Sequence, residues 1–408
     1  MDLKHKYIVL LGDGMADRPL EELDGMTPLE YARTPSMNDL ASRGVTGMVR
    51  TVPRGMPPGS DTANLSVFSY DPERYYSGRA PLEALNMGID LADGDAAFRC
   101  NLVSLADGTM EDFTAGHVED GLAKIVIREI ADALGTEDLD FHAGVSYRHI
   151  LHWKNFPHDE LPETVPPHDI TDRKAEPHLP SGPGGDVLRE LMERGREVIA
   201  SSRAVSEALD NYRGHPTDIW LWGAGRRPAI DTLQEKFGLM GHTISAVDLI
   251  HGIGRAAGLT PLPVPGATGY LDTDYEGKAR ACLDNLEEAN FIYLHVEAPD
   301  ESGHEGNIEH KVKAIEDFDS RIVGPVVEGL AGRYTHSILV MPDHPTPIEL
   351  RTHSDDPVPF LCFDSRGRFD DSEGFGLPAY NEKEASKSGL YLDRGHELLG
   401  MILEGRFR

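Results

Sequence analysis

A doubly wound, mostly parallel α/β sheet between helical layers, with a second α/β domain inserted into it, is predicted from two observations. The first is a set of three short, β-rich apolar runs, Tyr7–Leu11, Phe291–Val296 and Ser337–Met341, bounded by Gly, Pro or acidic residues, as buried parallel strands are. The second is strand–helix alternation at both ends of the chain around a middle of different texture, which points to a discontinuous domain carrying an insertion. Each apolar run leads into acidic or metal-ligating residues: Asp13, then Asp300 and His304, then Asp343 and His344. In an open parallel sheet, chemistry gathers beyond the carboxyl ends of the strands. A metal site is therefore predicted at that edge.

The elements follow in order. After the first strand a helix is expected with Thr34 as N-cap, Pro35 at its first position and Gly44 as its stop. Val45–Thr51 reads as a strand, and the stiff segment from Pro57 to Leu65 as a loop opening into a helix. Ala97–Leu105 reads as a strand ending in the Asp107-Gly108 turn, and Val118–Leu134 as a helix by its spacing near 3.6. The Pro-, His- and Asp-rich stretch from Asn155 to Gly185 suggests a long functional loop or a hinge region. Gly185–Tyr212 reads as largely helical, Asp218–Leu221 as a strand and Ala246–Ala257 as a helix. Pro261–Gly266 is the linker candidate, and beyond it come helix Asp274–Glu288, helix Asn307–Gly329 and strand Val358–Phe363. The expected division is 1–80 with 262–408 for the first domain and 81–261 for the insertion.

The 408 residues carry 39 basic and 69 acidic side chains, a net charge of −30. Such a surface repels polyanions, so nucleic acid is not an expected partner, and an anionic substrate would need a local basic pocket. Cys100, Cys282 and Cys362 are far apart and form no CxxC pair. They fit buried thiols of a reducing compartment better than a disulfide framework or a zinc site. Lys4 and Lys6 precede an apolar run that Asp13 ends, too short for a signal peptide or a membrane span. A cytoplasmic location is expected.

Carboxylate and imidazole side chains at the strand ends suit Mn²⁺, Zn²⁺ or Co²⁺ better than Ca²⁺. Asp13, Asp343 and His344 could hold one ion, and Asp300, His304 and His353 a second, in the manner of two-metal phosphoryl displacement. A helical turn would put Asp300 and His304 on one side, whereas Pro299 and Gly303 argue for a compact turn that also converges them. Ser60 is the candidate nucleophile, since unpaired N–H groups at a helix start favour an alkoxide and a bound phosphate. The competing reading makes Ser60 an ordinary N-cap.

With these residues assembled, the chain resembles the archaeal type of cofactor-independent phosphoglycerate mutases, within the alkaline-phosphatase superfamily. The resemblance rests on Gly12–Met15, Pro57–Asn64, Gly266–Thr273, Asp300 with His304, Met341–His344 and His353 through Phe360, in the family's order over nearly the whole length. It implies an alkaline-phosphatase-like fold and interconversion of 3- and 2-phosphoglycerate without 2,3-bisphosphoglycerate. It implies Ser60 as the phosphorylated nucleophile. One metal would sit on Asp13, Ser60, Asp343 and His344, and another on Asp300, His304 and His353, with Mn²⁺ first and Zn²⁺, Co²⁺ or Mg²⁺ as alternatives. It further implies that Lys278 contacts the transferring phosphoryl group, and that His117, Arg148 and Arg226 of the insertion bind the small phosphorylated acid. Domain closure would exclude water, which separates a mutase from a phosphatase. The rival readings are a homoserine kinase-like phosphotransferase, a metal-dependent phosphatase, and an inert metal-stabilised binding protein. The chain has no GxxxxGK[ST] loop, which counts against the kinase.

Overall fold

In the computed structural model, which describes residues 4–407, the polypeptide opens with β1 (His5–Gly12) and β2 (Val45–Val49). β3 (Ala96–Ala106), β4 (Thr109–Asp112), β5 (Leu139–Val145), β6 (Arg148–Trp153) and β7 (Asp218–Gly225) follow. Then come β8 (Gly241–Ile244), β9 (Thr260–Pro261), β10 (Phe291–Val296), β11 (Thr335–Met341), β12 (Val358–Asp364) and β13 (Tyr391–Leu392). Two units result, 1–76 with 229–408, and 77–228. No helix among the described residues is long and apolar enough to cross a membrane.

The first unit is built on one eight-stranded sheet, ordered β13-β2-β12-β11-β1-β10-β8-β9. β1 pairs in parallel with both β10 and β11, while β12 runs antiparallel to β11 and β2. The central strands are largely apolar on both faces because both faces are covered. Ile8, Leu10, Ile292, Leu294, Ile338 and Val340 pack with Tyr275, Phe318 and Ile322 from the helices. The register decides where the polar residues emerge. Gly12 pairs with Val296, and Leu11 with Met341, so the chain leaves all three strands at one level. Asp13, Glu297 and Asp343 follow directly.

The second unit carries an antiparallel sheet in which β3 pairs with β4, β6 and β7, and β6 with β5. Helices Asp120–Leu134 and Gly185–Ser201 cover one face, setting Leu122, Val126, Ile130, Leu188 and Leu191 against Phe98, Cys100 and Leu102. Helix Arg79–Asn86 lays Ala80 and Ala84 on Ala97 and Ile150. The 155–185 stretch lies inside this unit, tied by a bridge between Glu163 and Ser181 and by short turns at Pro167–Ile170 and Glu176–His178.

Three expectations change. Residues 229–261 belong to the first unit and not to the insertion, because β8 pairs in parallel with β10 and β9 with β8. The Pro-rich segment after Pro261 is therefore no inter-domain linker: Leu262 donates to the Thr243 carbonyl at 2.8 Å and finishes the sheet edge. The long helix expected over 307–329 is interrupted by a π segment, Asp319–Val323. That segment explains the third change. Thr34 makes no side-chain cap to helix Pro35–Ser42; the buried Asp319 carboxylate instead accepts from Ser36 N at 3.1 Å and Met37 N at 2.7 Å. A cap can come from a distant helix because the orphan N–H groups need only an acceptor. The stretch 185–212 is largely helical, as expected, in two helices that divide at Ser202, whose hydroxyl accepts from Val205 N at 3.2 Å and starts Arg203–Leu209.

Replacing Asp319 by Ala removes this cap from two N–H groups. The expected loss is about 1–2 kcal/mol of unfolding free energy, visible as a lower urea midpoint at unchanged slope.

Candidate active site

The site begins at the end of β1. Asp13 N donates to Val296 O at 2.9 Å, extending the β1/β10 pairing and carrying the carboxylate to the sheet edge. Gly14 has φ +58, and a Cβ there would lie 2.5 Å from both Asp300 Oδ1 and Thr346 Oγ1. Only glycine lets the three segments approach this closely. Asp13 Oδ2 accepts from His295 Nε2 at 2.8 Å, and Oδ1 is buried without a hydrogen-bond partner, 3.4 Å from His344 Nε2. Burial first, then Asp343, Glu297 and Asp300, push this carboxyl well above the usual carboxylate range.

Asp343 leaves β11 beside it. Its Oδ1 accepts from Gly14 N at 3.2 Å and His344 N at 2.9 Å, and its Oδ2 from Asn64 Nδ2 at 2.7 Å. Ser60 is the first residue of helix Ser60–Val67; Gly59 occupies the cap position, and no side chain caps the helix. The Ser60 hydroxyl instead lies 3.1 Å from His344 Nε2.

Residues 298–305 are helical, with Pro299 in the first turn. The i,i+4 geometry sets Asp300 Oδ2 3.2 Å from His304 Nε2. His353 Nε2 lies 3.0 Å from His304 Nε2 and 3.6 Å from Asp300 Oδ1. His304 Nδ1 faces the Arg351 carbonyl at 3.0 Å. A carbonyl can only accept, so Nδ1 holds a hydrogen and Nε2 is the nitrogen turned toward Asp300. Two imidazole nitrogens and a carboxylate converge there. Burial opposes an imidazolium, yet the hydrogen bond and charge of Asp300 outweigh it and raise His304 to about 9.

Ligand atoms of Asp300, His304 and His353 lie within 4.8 Å of one another, as do those of Asp13, Asp300 and His344. The buried, unpartnered Asp13 Oδ1 and this carboxylate–imidazole donor set fit divalent cations.

Lys278, on helix Tyr275–Asp284, is fully buried and donates to His295 O at 3.2 Å. Burial lowers its ammonium to about 8, against the pull of Glu297. The remaining predicted residues lie in the second unit. His117 is exposed at φ +49, and Arg148 is exposed with its guanidinium 5.6 Å from the Tyr147 ring. Arg226 donates to the carbonyls of Gly94, at 3.3 Å, and His158, and lies over Phe156. Its guanidinium braces backbone in its own unit.

Several residues escaped the sequence reading. Tyr293, His295 and Glu297 alternate along β10 and its end, polar at every second place of a strand otherwise apolar. That period was the available signal. Thr346 Oγ1 donates to Asp300 Oδ1. In the second unit Arg99, 4% exposed at its side chain, meets Glu83 Oε1 at 3.1 Å, and Arg79 meets the same oxygen at 3.0 Å. Lys311 is fully buried and donates to Asp17 Oδ2 at 2.7 Å, Thr346 O at 2.8 Å and Ala16 O at 3.2 Å. It clamps the loop after Asp13 to the loop after His344.

Lys311→Met would leave the Asp17 carboxylate buried without its cation. The expected destabilisation is about 3–5 kcal/mol, measured by denaturant unfolding.

The chain has full-length relatives among known proteins. Residues 41–204 match a family model described as 2,3-bisphosphoglycerate-independent phosphoglycerate mutase. A probable 2,3-bisphosphoglycerate-independent phosphoglycerate mutase of Geobacter sulfurreducens is 49% identical, over 98% of this chain and 100% of its own length. The Methanosarcina acetivorans mutase is 47% identical over the same shares. Among solved structures, a Pyrococcus horikoshii protein matches with TM-score 0.80 and 29% identity, covering 98% of this chain and 97% of the other. The cofactor-independent phosphoglycerate mutase of Thermoplasma acidophilum matches with TM-score 0.65 and 25% identity, covering 98% and 99%. The strand ends, the carboxylate–imidazole cluster and these full-length likenesses together mean that the chain belongs to the 2,3-bisphosphoglycerate-independent phosphoglycerate mutases.

Proposed function

We propose that this enzyme interconverts 3-phosphoglycerate and 2-phosphoglycerate through a phosphoserine at Ser60, without 2,3-bisphosphoglycerate. The observation that carries the reading is the Ser60 hydroxyl at 3.1 Å from His344 Nε2, at the first turn of a helix and beside the carboxylate cluster. Asp13, Ser60, Asp343 and His344 would hold one divalent cation and Asp300, His304 and His353 the other, Mn²⁺ being the first choice. When bound, the cations supply positive charge against phosphoryl oxygens and lower the pKa of the serine hydroxyl.

Ser60 Oγ gives up its proton and bonds to phosphorus, while the bond from phosphorus to the 3-oxygen of glycerate breaks. That oxygen takes a proton. In the return half, the 2-hydroxyl loses its proton and bonds to the same phosphorus, and Ser60 regains its hydroxyl. The buried Lys278 ammonium is suited to face the transferring oxygens. Glycerate must remain bound between the two halves, since water reaching phospho-Ser60 would make the enzyme a phosphatase. The insertion carries the exposed side chains of His117 and Arg148, suited to an anionic acid. Arg226, already bonded to backbone, is the weaker candidate. A reducing, cytoplasmic setting belongs to the same reading, supported by three buried free thiols.

Chelator-treated protein given Mn²⁺ and 3-phosphoglycerate, without bisphosphoglycerate, is expected to form 2-phosphoglycerate, and Ser60→Ala to form none. Release of inorganic phosphate would indicate a phosphatase, and ATP-dependent phosphorylation of homoserine a kinase; either would displace this reading. Mn²⁺ is also expected to raise the Tm of the chelated protein, a gain reduced in the His304→Ala His353→Ala double variant.

Lys278 offers a pH test. Its folded pKa, about 8, lies below the ordinary lysine value, so the ammonium discharges as pH rises through 8. Turnover is expected to fall across that range, and Lys278→Arg to move the fall to higher pH. Between pH 8 and the ordinary lysine value, the unfolded state binds more protons than the folded one. Stability from this group therefore increases with pH there.

A further inference from the structure

Asp343 is held by a side chain that is itself held. Its Oδ1 has both acceptor directions filled by the N–H groups of Gly14 and His344, at 3.2 and 2.9 Å. Its Oδ2 accepts one hydrogen bond from Asn64 Nδ2 at 2.7 Å and lies 3.4 Å from His344 Nε2. A carboxylate oxygen has two such directions, so a single direction on Oδ2 is left toward the cluster. Asn64 sits one helical turn from Ser60, and its amide also donates to Ser60 O at 2.8 Å. The same NH₂ group thus ties the metal carboxylate to the residue bearing the nucleophilic hydroxyl.

An amide has two faces and can turn over. Here the Tyr293 hydroxyl donates to Asn64 Oδ1, which obliges the NH₂ to face Asp343 and Ser60. Turned over, the amide oxygen would confront a carboxylate and a carbonyl. Tyr293 is well placed for this: its ring stacks on Phe68, at the end of the same helix, with centroids 4.0 Å apart and planes at 16°. Both rings are fully buried. Burial, with Asp343 and Asp13 nearby, pushes the phenol well above its ordinary value, so it stays a donor.

We infer that Asn64 and Tyr293 are positioning residues: Tyr293 sets the direction of the Asn64 amide, and Asn64 aims one lone pair of Asp343 Oδ2 at the cation site while fixing Ser60 relative to it. The inference rests on the proposed cation site but not on the identity of the substrate. Partners that orient a metal ligand are worth about 10–100-fold in affinity.

The test is equilibrium Mn²⁺ binding to the full-length, chelator-treated protein, by calorimetry and by the electron-spin signal of free Mn²⁺. Asn64→Leu, of similar volume but without donors, is expected to weaken one of two Mn²⁺ sites about 10–100-fold. Tyr293→Phe keeps the ring stack and loses only the hydroxyl, and is expected to fall between wild type and Asn64→Leu. Phe68→Leu, which disturbs packing alone, is expected to lower Tm without that loss of affinity. Unchanged Mn²⁺ affinity in folded Asn64→Leu would overturn the inference. Wild-type affinity in Tyr293→Phe would overturn the role given to Tyr293, and should Asn64→Leu not fold, Tyr293→Phe decides alone. Absence of Mn²⁺ binding in wild type would be distinguishable from both, since it removes the cation site itself and the inference with it.

Discussion

The burial of like charges at one edge of a sheet is the constraint around which the larger unit is built. Asp13, Asp300 and Asp343 are 0%, 3% and 0% exposed, and Glu297 faces the same cluster, 3.6 Å from His295 Nε2. Carboxylates cannot be taken out of water together unless donors and cations meet them. The fold supplies the donors: backbone N–H groups on Asp343, His295 on Asp13, Thr346 on Asp300. What remains unsatisfied, above all Asp13 Oδ1, is suited to a positive charge.

Much of the surrounding structure reads as a consequence. β1, β10 and β11 end at one level, so their loops start together. Gly14 gives up a side chain to let Asp300 and Thr346 approach. Lys311 pins two of the loops through three bonds in a fully buried position. The cost of burying that ammonium is met by Asp17 and two carbonyls, which turns an expensive charge into a rigid clamp.

The insertion follows a different logic. Its antiparallel sheet carries its own apolar core, centred on β3 and covered by two long helices. Basic side chains stand on it in two conditions: Arg148 and His117 at the surface, Arg99 and Arg79 paired to Glu83. A unit of this kind can change its exposed cations without disturbing the parallel sheet into which it is spliced.

Sequence alone determined the three central strands, because short β-rich and mainly apolar runs are best buried in a sheet covered on both faces. It also offered Asp13, Ser60, Asp300, His304, Asp343 and His344 as site candidates from their places at strand ends and helix starts, with His353 a loop residue that the family resemblance supported. Tertiary structure decided the rest, because those features depend on partners far apart in the chain. Nothing near Gly241–Ile244 announces a strand; it becomes one by lying against β10. Nothing near Pro35 names Asp319 as its cap, and nothing in Arg226 shows that Gly94 and His158 occupy it. Local pattern reports hydrophobic period and backbone propensity, whereas hydrogen-bond partnership and the aim of a lone pair exist only once distant segments meet.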